Sequence, residues 1–407
     1  MNIRAMLELE EARQRLLDAI QPLPAEKAQL RDAAGRVLAQ EVVSPIDLPA
    51  FDNSAMDGYA VRSADLVSAS AESPANLKLA GHVPAGAVFT DTVQSGSCVR
   101  LFTGSPLPDG ADAVVMQEDT RVDASQPGAV QILDRVKPWE NVRFRGEDAK
   151  TGAVLARAGE AITIGRVGLL AAAGINSVNV HRRPIVGLLA TGTELVEAGQ
   201  PLPPGKIYES NRAALEPLLI RSGAVARVFP LVPDTLNATC EALKQALDEC
   251  DAVVTSGGVS VGELDFVKAA FEKLGGVMDF WRVAIKPGKP FVFGRRGEKL
   301  LFGLPGNPVS ALVTFLLLVR PALWRWQGAT NFLPPITHGI LAEALTNHGD
   351  RRHFMRVRVD ESGAVRSTGA QASHLLGSLA AANALAEVPP NTTLAAGAPV
   401  RVIRIDD

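Results

Sequence analysis

The chain has 407 residues, enough for about two to four domains rather than a single core. Apolar residues make up 47% and aromatics only 5%, a balance typical of α/β enzymes rather than β-sandwiches. The net charge of −3 excludes a general electrostatic affinity for nucleic acid or anionic membranes, so any anion site must be local.

Two segments at the start, 3–20 and 26–40, carry helical spacing of apolar positions and are separated by "QPLP". The first is acidic and amphipathic, without a basic stretch followed by an apolar one, so no signal peptide is expected. Cys98, Cys240 and Cys250 form no CxxC pair and no disulfide framework, which fits a reducing, cytoplasmic setting. From about 46 to 145, short runs such as "LKLAGHV", "SCVRLF" and "DAVVMQ" alternate with Gly, Pro, Asp and Asn and predict a β-rich domain with large loops. A helix follows over Ile164–Ala173, closed by Gly174.

From 184 the chain alternates strand and helix: "PIVGLLA", "NRAALEPLLIRSG", "VARVFPLV", "LNATCEALKQALDEC", "DAVVTS", "DFVKAAFEKLG", "KLLFGL" and "PVSALVTFLLLVRPALW". That order predicts a doubly wound parallel sheet with helices on both faces. The longest apolar run, Ala311 to Val319, falls short of the roughly 20 residues needed to cross a bilayer. The last seventy or so residues return to short strands and predict a small β-domain.

In an open α/β sheet, ligands bind at the carboxyl ends of the strands. Here those ends carry Thr191, Gly192 and Glu194, then Asp234, then "SGGVSVGELD" with Gly257, Gly258, Ser260 and Asp265, and then "PGNPVS" with Gly306, Asn307 and Ser310. Glycines at such points also simply make tight turns, and Asp234 alone reads equally as a helix cap. "SGGVSVGELD" is not a Walker A loop, because no Gly-Lys-Ser/Thr follows, but its backbone N–H groups suit a phosphate. Converging carboxylates at Glu194, Asp234 and Asp265 suit a hard cation such as Mg²⁺ shared with substrate phosphates.

Asn307 reads as an N-cap with Pro308 at the first helical position, which turns the positive end of that helix toward the sheet mouth. In "VAIKPGKPFVFG", Lys286 and Lys289 bracket a Pro-Gly turn before Pro290. A lone lysine is usually a solvated surface charge; two held beside a helix N-terminus form an oxyanion pocket. In the β-rich segment, "PAFDNSAMDGYAV" contains Asp57, and "FTGSPLPDG" contains Thr103. "RRHFMRVRV" supplies Arg351, Arg352 and Arg356, either a solvated strand edge or anion ligands, and Ser373 follows in "GAQASHLLGS". No Ser–His–Asp, Cys–His or HExxH arrangement is evident.

Together "FDNSAMDGYAV", "TGSPLPDGADAVVMQED", "RFRGEDAKTG", "ATGTEL", "TSGGVSVGELDF", "AIKPGKPF" and "FGLPGNPVSA" resemble, in order, the motifs of molybdopterin molybdenumtransferases, the MoeA-type molybdenum-insertion enzymes. The chain is also similar to the C-terminal domain of gephyrin. The resemblance implies a homodimer of four-domain protomers: a discontinuous domain (1–45 and 146–180), a β-rich domain (46–145), a molybdopterin-binding α/β domain (181–327) and a small β-barrel-like domain (328–407). It implies that molybdate and adenylated molybdopterin give molybdenum cofactor and AMP with Mg²⁺, the substrate coming from a molybdopterin adenylyltransferase.

By the same resemblance, Glu194, Asp234 and Asp265 lie near the nucleotide phosphates and metal. Lys286, Lys289, Pro290, Ser310, Arg356 and Ser373 match molybdate ligands, and Asp57 and Thr103 match positions that complete the site from a partner subunit. Thr193 stands where the family usually has Asp, and Ala372 where glycine is common before the serine. Two readings compete: an adenylyltransferase-like activity, since the α/β domain also resembles molybdopterin adenylyltransferases, and a non-enzymatic pterin-binding scaffold.

Overall fold

The computed structural model describes residues 6–84, 86–122, 128–259 and 266–405. Its centre is a six-stranded sheet in the order Val225–Val228, Ile185–Ala190, Ala252–Ser256, Lys299–Leu304, Pro290–Arg296, Val277–Arg282. The first four strands are parallel, and the last two run antiparallel to their neighbours. The parallel half is the expected doubly wound core; the antiparallel edge arises because Pro290–Arg296 returns directly to Lys299–Leu304 through a short turn, with no crossover helix. Strand Ala252–Ser256 is buried at every position, as a central parallel strand covered on both faces must be.

The covering helices follow their sequence signals. Helix Leu236–Glu249 starts at Thr235, whose hydroxyl accepts from the Ala238 N–H, and buries Thr239, Leu243, Ala246 and Leu247 at helical spacing. The stretch Pro308–Trp326 is long and apolar enough to cross a membrane by length and composition, yet nearly all of it is buried in the domain core. The apolar run read from the sequence was thus only part of a core helix. Its middle, Phe315–Val319, is a π-turn just before Pro321, whose ring removes the N–H that would have bonded Leu317 O.

Two expectations at the N-terminus need correction. The segment 26–40 is no helix: Ala25–Gln29 is a strand antiparallel to Ser177–His181, followed by a 3₁₀ turn at Leu30–Asp32. Its Ala, Glu, Lys and Gln residues favour a helix locally, but pairing with a strand that buries Val178 and Val180 outweighs that propensity. In the other segment, helix Leu9–Asp18 buries Leu9, Ala12, Leu16 and Leu17 in the core of the α/β unit, against the helix Arg320–Trp326, not with the discontinuous domain. The discontinuous core combines Ala28, Leu30 and Leu38 with Ala156, Ile162, Leu170, Val178 and Val180, from either side of the β-rich insertion.

The insertion is a six-stranded sheet in which Gly58–Val61 lies between Ala113–Met116 and Ser97–Leu101. Gly58 is obligatory there, because a Cβ would stand 1.9 Å from Val115 O. The C-terminal strands Arg352–Val359, Ala364–Ser367, Ile336–Leu341, Pro399–Arg404 and Ala384–Val388 close on themselves into a barrel. One extra strand joins it from the α/β unit: Ile285–Lys286 pairs parallel with Arg352 and His353. That pairing sets the barrel beside the mouth of the central sheet.

Candidate active site

Two adjoining cavities open where the central sheet meets the barrel. The larger, of about 650 Å³, lies outside the carboxyl ends of the parallel strands and is lined by Glu194, Asp234, Gly257, Gly258, Gly306 and Asn307, among others. The smaller, of about 450 Å³, is lined by Lys286, Lys289, Ser310, Arg351, Gln371 and Ser373. Pro290, Pro305, Asn307 and His374 line both, so the two cavities adjoin across these residues.

The larger cavity is assembled by polar links between strand ends. The Thr193 N–H donates to Asp234 Oδ2 at 2.9 Å, and the Asp234 N–H donates to Thr193 Oγ1 at 3.0 Å. Asp234 is therefore not the helix cap, which is Thr235; its carboxylate serves the cleft. Asn211 donates to Ser256 Oγ and, at 2.7 Å, to Gly306 O, tying the first turn of one helix to two strand ends. Glu209 is buried against Arg212, accepting from its backbone N–H at 2.8 Å and its Nε at 3.1 Å. Gly257 and Gly258 both have positive φ, and a Cβ on Gly257 would lie 2.7 Å from Thr191 O. Neither Asn211 nor Glu209 was singled out from the sequence, although "YESN" opens a helix at the sheet mouth, where polar groups gather.

The smaller cavity is shaped by a turn and a loop. Gly288, with φ +110, packs so closely on the helix that a Cβ would lie 2.5 Å from Thr314 Cγ2. The Lys286–Lys289 turn is thereby held against the first turns of the Asn307 helix. Asn307 caps that helix by position, but its side chain makes no cap bond; its amide donates instead to Ser373 Oγ at 3.0 Å. The Val309 N–H donates to Ser373 O at 3.2 Å, so the barrel's 370–376 loop lies across the helix start.

Among the expected residues, Glu194, Asp234, Gly257, Gly258, Pro290, Gly306 and Asn307 line the larger cavity, and Lys286, Lys289, Ser310 and Ser373 the smaller. Arg356 does not: it is fully buried, and its guanidinium donates to Ser378 Oγ, Ala370 O and Ala372 O. Expected as an anion ligand, it braces the loop instead, because its strand position points it away from the cleft surface. Ser260 and Asp265 lie outside the described residues. Asp57 and Thr103 line neither cavity. They pair with each other on the β-rich domain: Thr103 donates to Asp57 Oδ1 from its N–H at 2.7 Å and its hydroxyl at 2.9 Å, which holds the carboxyl below its ordinary pKa. Among the described residues, no cluster of three His, Cys, Asp or Glu side chains is set to hold a metal unaided.

A doubly wound domain whose strand ends carry carboxylates and whose neighbouring cavity carries lysines defines an α/β protein built to hold a small anionic ligand. Comparison with known proteins sharpens the class. Residues 7–174 match the MoeA N-terminal region (domains I and II), 187–325 a probable molybdopterin-binding domain, and 338–405 the MoeA C-terminal region (domain IV). A molybdopterin molybdenumtransferase of Haemophilus influenzae is 42% identical, over 93% of each chain. One of Bacillus subtilis is 36% identical, over 96% of this chain and 91% of its own. The crystal structure of the molybdopterin biosynthesis MoeA protein of Pyrococcus horikoshii superposes with a TM-score of 0.83 at 33% identity, covering 98% of this chain and all of that one. The chain belongs to the MoeA family of molybdopterin molybdenumtransferases.

Proposed function

We infer that this protein is a transferase of molybdenum cofactor biosynthesis that inserts molybdenum into molybdopterin. In the fuller form of this reading, molybdate and adenylated molybdopterin give molybdenum cofactor and AMP. The carrying observation is that the two cavities adjoin across Pro290, Pro305, Asn307 and His374. A pterin nucleotide in the larger cavity then meets an oxyanion in the smaller one without leaving the protein, and insertion becomes effectively intramolecular.

The residues divide the work by their chemistry. The Gly257–Gly258 turn, free of Cβ atoms, lets backbone approach a phosphate closely. Lys286 and Lys289 hold a tetrahedral dianion by charge, with Ser310 and Ser373 offering hydroxyls. Glu194 and Asp234 line one cavity from adjacent strand ends, a donor set that fits a hard divalent cation shared with substrate phosphates. Bound there, Mg²⁺ would neutralise charge on the phosphoanhydride as AMP departs.

Two features support a homodimer. Helix Ile164–Ala172 is apolar, yet it exposes Ile164 (79%), Gly165 and Gly168. Asp57 and Thr103 form an oriented pair that lines neither of the two cavities at the sheet mouth, which suits completion of a partner's site. An adenylyltransferase supplies the adenylated substrate in this scheme. The test is Asp234→Asn: it should keep the fold and lose most AMP release from adenylated molybdopterin. Undiminished release would remove Asp234 from the reaction.

A further inference from the structure

We propose that His374 is the proton-transfer residue of molybdenum insertion, carrying a proton from a pterin sulfur to the oxygen that molybdate must lose. The assignment rests on the reading of the two cavities as a pterin nucleotide site beside an oxyanion site.

The chemistry sets the demand. Molybdate condenses with an ene-dithiol: two S–H bonds and one Mo–O bond break, and two Mo–S bonds form. The departing oxygen leaves as water with both thiol protons, the product keeps the dianionic charge of molybdate, and nothing is oxidised or reduced. An oxo group leaves poorly until it is protonated. A side chain that gives and takes a proton is therefore needed where sulfur and oxyanion meet.

That place is where the two cavities adjoin, and only four described residues line both: Pro290, Pro305, Asn307 and His374. The prolines have no side-chain proton to give, and the Asn307 amide, which does not titrate, already donates to Ser373 Oγ at 3.0 Å. His374 is exposed, and neither ring nitrogen has a hydrogen-bond partner among the described residues. The main chain beneath it is pinned on both sides. The Val309 N–H donates to Ser373 O at 3.2 Å, and the Leu375 N–H donates to Ala372 O at 3.3 Å.

The other charged groups around it suit other tasks. Lys286, Lys289 and Arg351 line the smaller cavity, and ammonium and guanidinium groups ordinarily keep their protons at neutral pH. They hold the anion without feeding it protons. The carboxylates Glu194, Glu209 and Asp234 line the larger cavity alone, away from the oxyanion. Imidazole is the side chain that ordinarily changes charge between pH 5 and 8.

The cycle closes on itself. The His374 imidazolium gives its proton to one molybdate oxygen, which becomes a hydroxo ligand. The first sulfur attacks the metal, and the neutral imidazole takes the proton from that S–H. The second S–H proton passes to the hydroxo ligand, which leaves as water while the second Mo–S bond forms. His374 ends as the imidazolium it began as.

The test uses the full-length protein with adenylated molybdopterin and sodium molybdate from about pH 6 to 8.5. Pterin-bound molybdenum is followed in single turnovers, and molybdate affinity is measured by calorimetry. His374→Gln should insert molybdenum about a hundredfold more slowly, a usual loss for general acid–base catalysis, with molybdate affinity near wild type. The wild-type rate should fall along a one-proton limb as pH rises, and His374→Gln should lack that limb. Free imidazole should restore part of the rate to His374→Ala. A His374→Gln variant that keeps the wild-type rate or its limb overturns the assignment. So does a loss of rate that merely tracks a loss of molybdate affinity, which marks a structural role. A wild-type protein that inserts no molybdenum under these conditions overturns the reading of the cavities, and the assignment with it.

Discussion

Thr193 and Asp234 hold each other by two hydrogen bonds across the mouth of the parallel sheet, each backbone N–H donating to the other's side chain. The pair spans two strand ends and commits Asp234 Oδ2 to the protein. Among the described residues, Oδ1 has no such partner. A threonine at a position where the resemblance led us to expect aspartate is thus a structural partner of the carboxylate, not a lost acid. Thr193→Val should cost only about 1 kcal/mol of stability, the worth of one hydrogen bond, yet lower kcat several-fold as Asp234 loses its orientation. Thr193→Ser should behave as wild type in both thermal midpoint and turnover.

Gly257→Ala tests the turn beneath the larger cavity. Its φ of +88 disfavours any side chain, and the new Cβ would press on Thr191 O at 2.7 Å. Destabilisation of about 1–2 kcal/mol or more is expected, together with weakened pterin nucleotide binding, read by denaturant midpoint and by titration. Gly174→Ala, also at positive φ but with open space around its Cβ, should show strain without the binding loss.

Much of this was legible beforehand because periodicity and turn chemistry agree in the α/β unit. The helices over 211–221, 236–249 and 308–326 and the four parallel strands follow directly from apolar spacing and glycine stops. Residues 25–29 misled because their propensity is helical while their partner, 150 residues away, is a strand; no local signal carries that pairing. Arg356 misled for a related reason. Charge and motif suggest a ligand, but which side of a barrel wall an arginine faces depends on closure between Arg352–Val359 and Ala384–Val388. Asn211 was overlooked because a lone Asn at a helix start looks like any other, until its amide is seen reaching Gly306 O.

His353 gives the protein an acid sensitivity of defined sign. The ring is 3% exposed, and neither nitrogen has a hydrogen-bond partner among the described residues. Burial first, then Lys286, Arg356 and Arg351, push its pKa down from 6.5 to about 4. Between those values the unfolded chain binds the extra proton, so this contribution is intact above pH 6.5 and is lost as pH falls toward 4, by up to about 3 kcal/mol. Urea midpoints of His353→Leu should decline less between pH 6.5 and 4.5 than those of the wild type. Parallel declines would assign the acid loss to carboxylates instead.

Ile164→Asp addresses the proposed dimer. A charge at the most exposed apolar position of that helix should shift the protein to a monomer in light scattering while leaving each protomer's thermal unfolding cooperative. A wild-type monomer, or a variant that stays dimeric, would move the interface elsewhere.

The most direct test of molybdenum insertion coupled to AMP release is a single stoichiometry. Purified protein is incubated with adenylated molybdopterin and Mg²⁺, with and without molybdate, and both AMP and pterin-bound molybdenum are quantified. We predict AMP and inserted molybdenum in equal amounts, both dependent on molybdate. AMP formed without any molybdenum entering the pterin, or ATP-dependent adenylation of free molybdopterin by this chain, would contradict it.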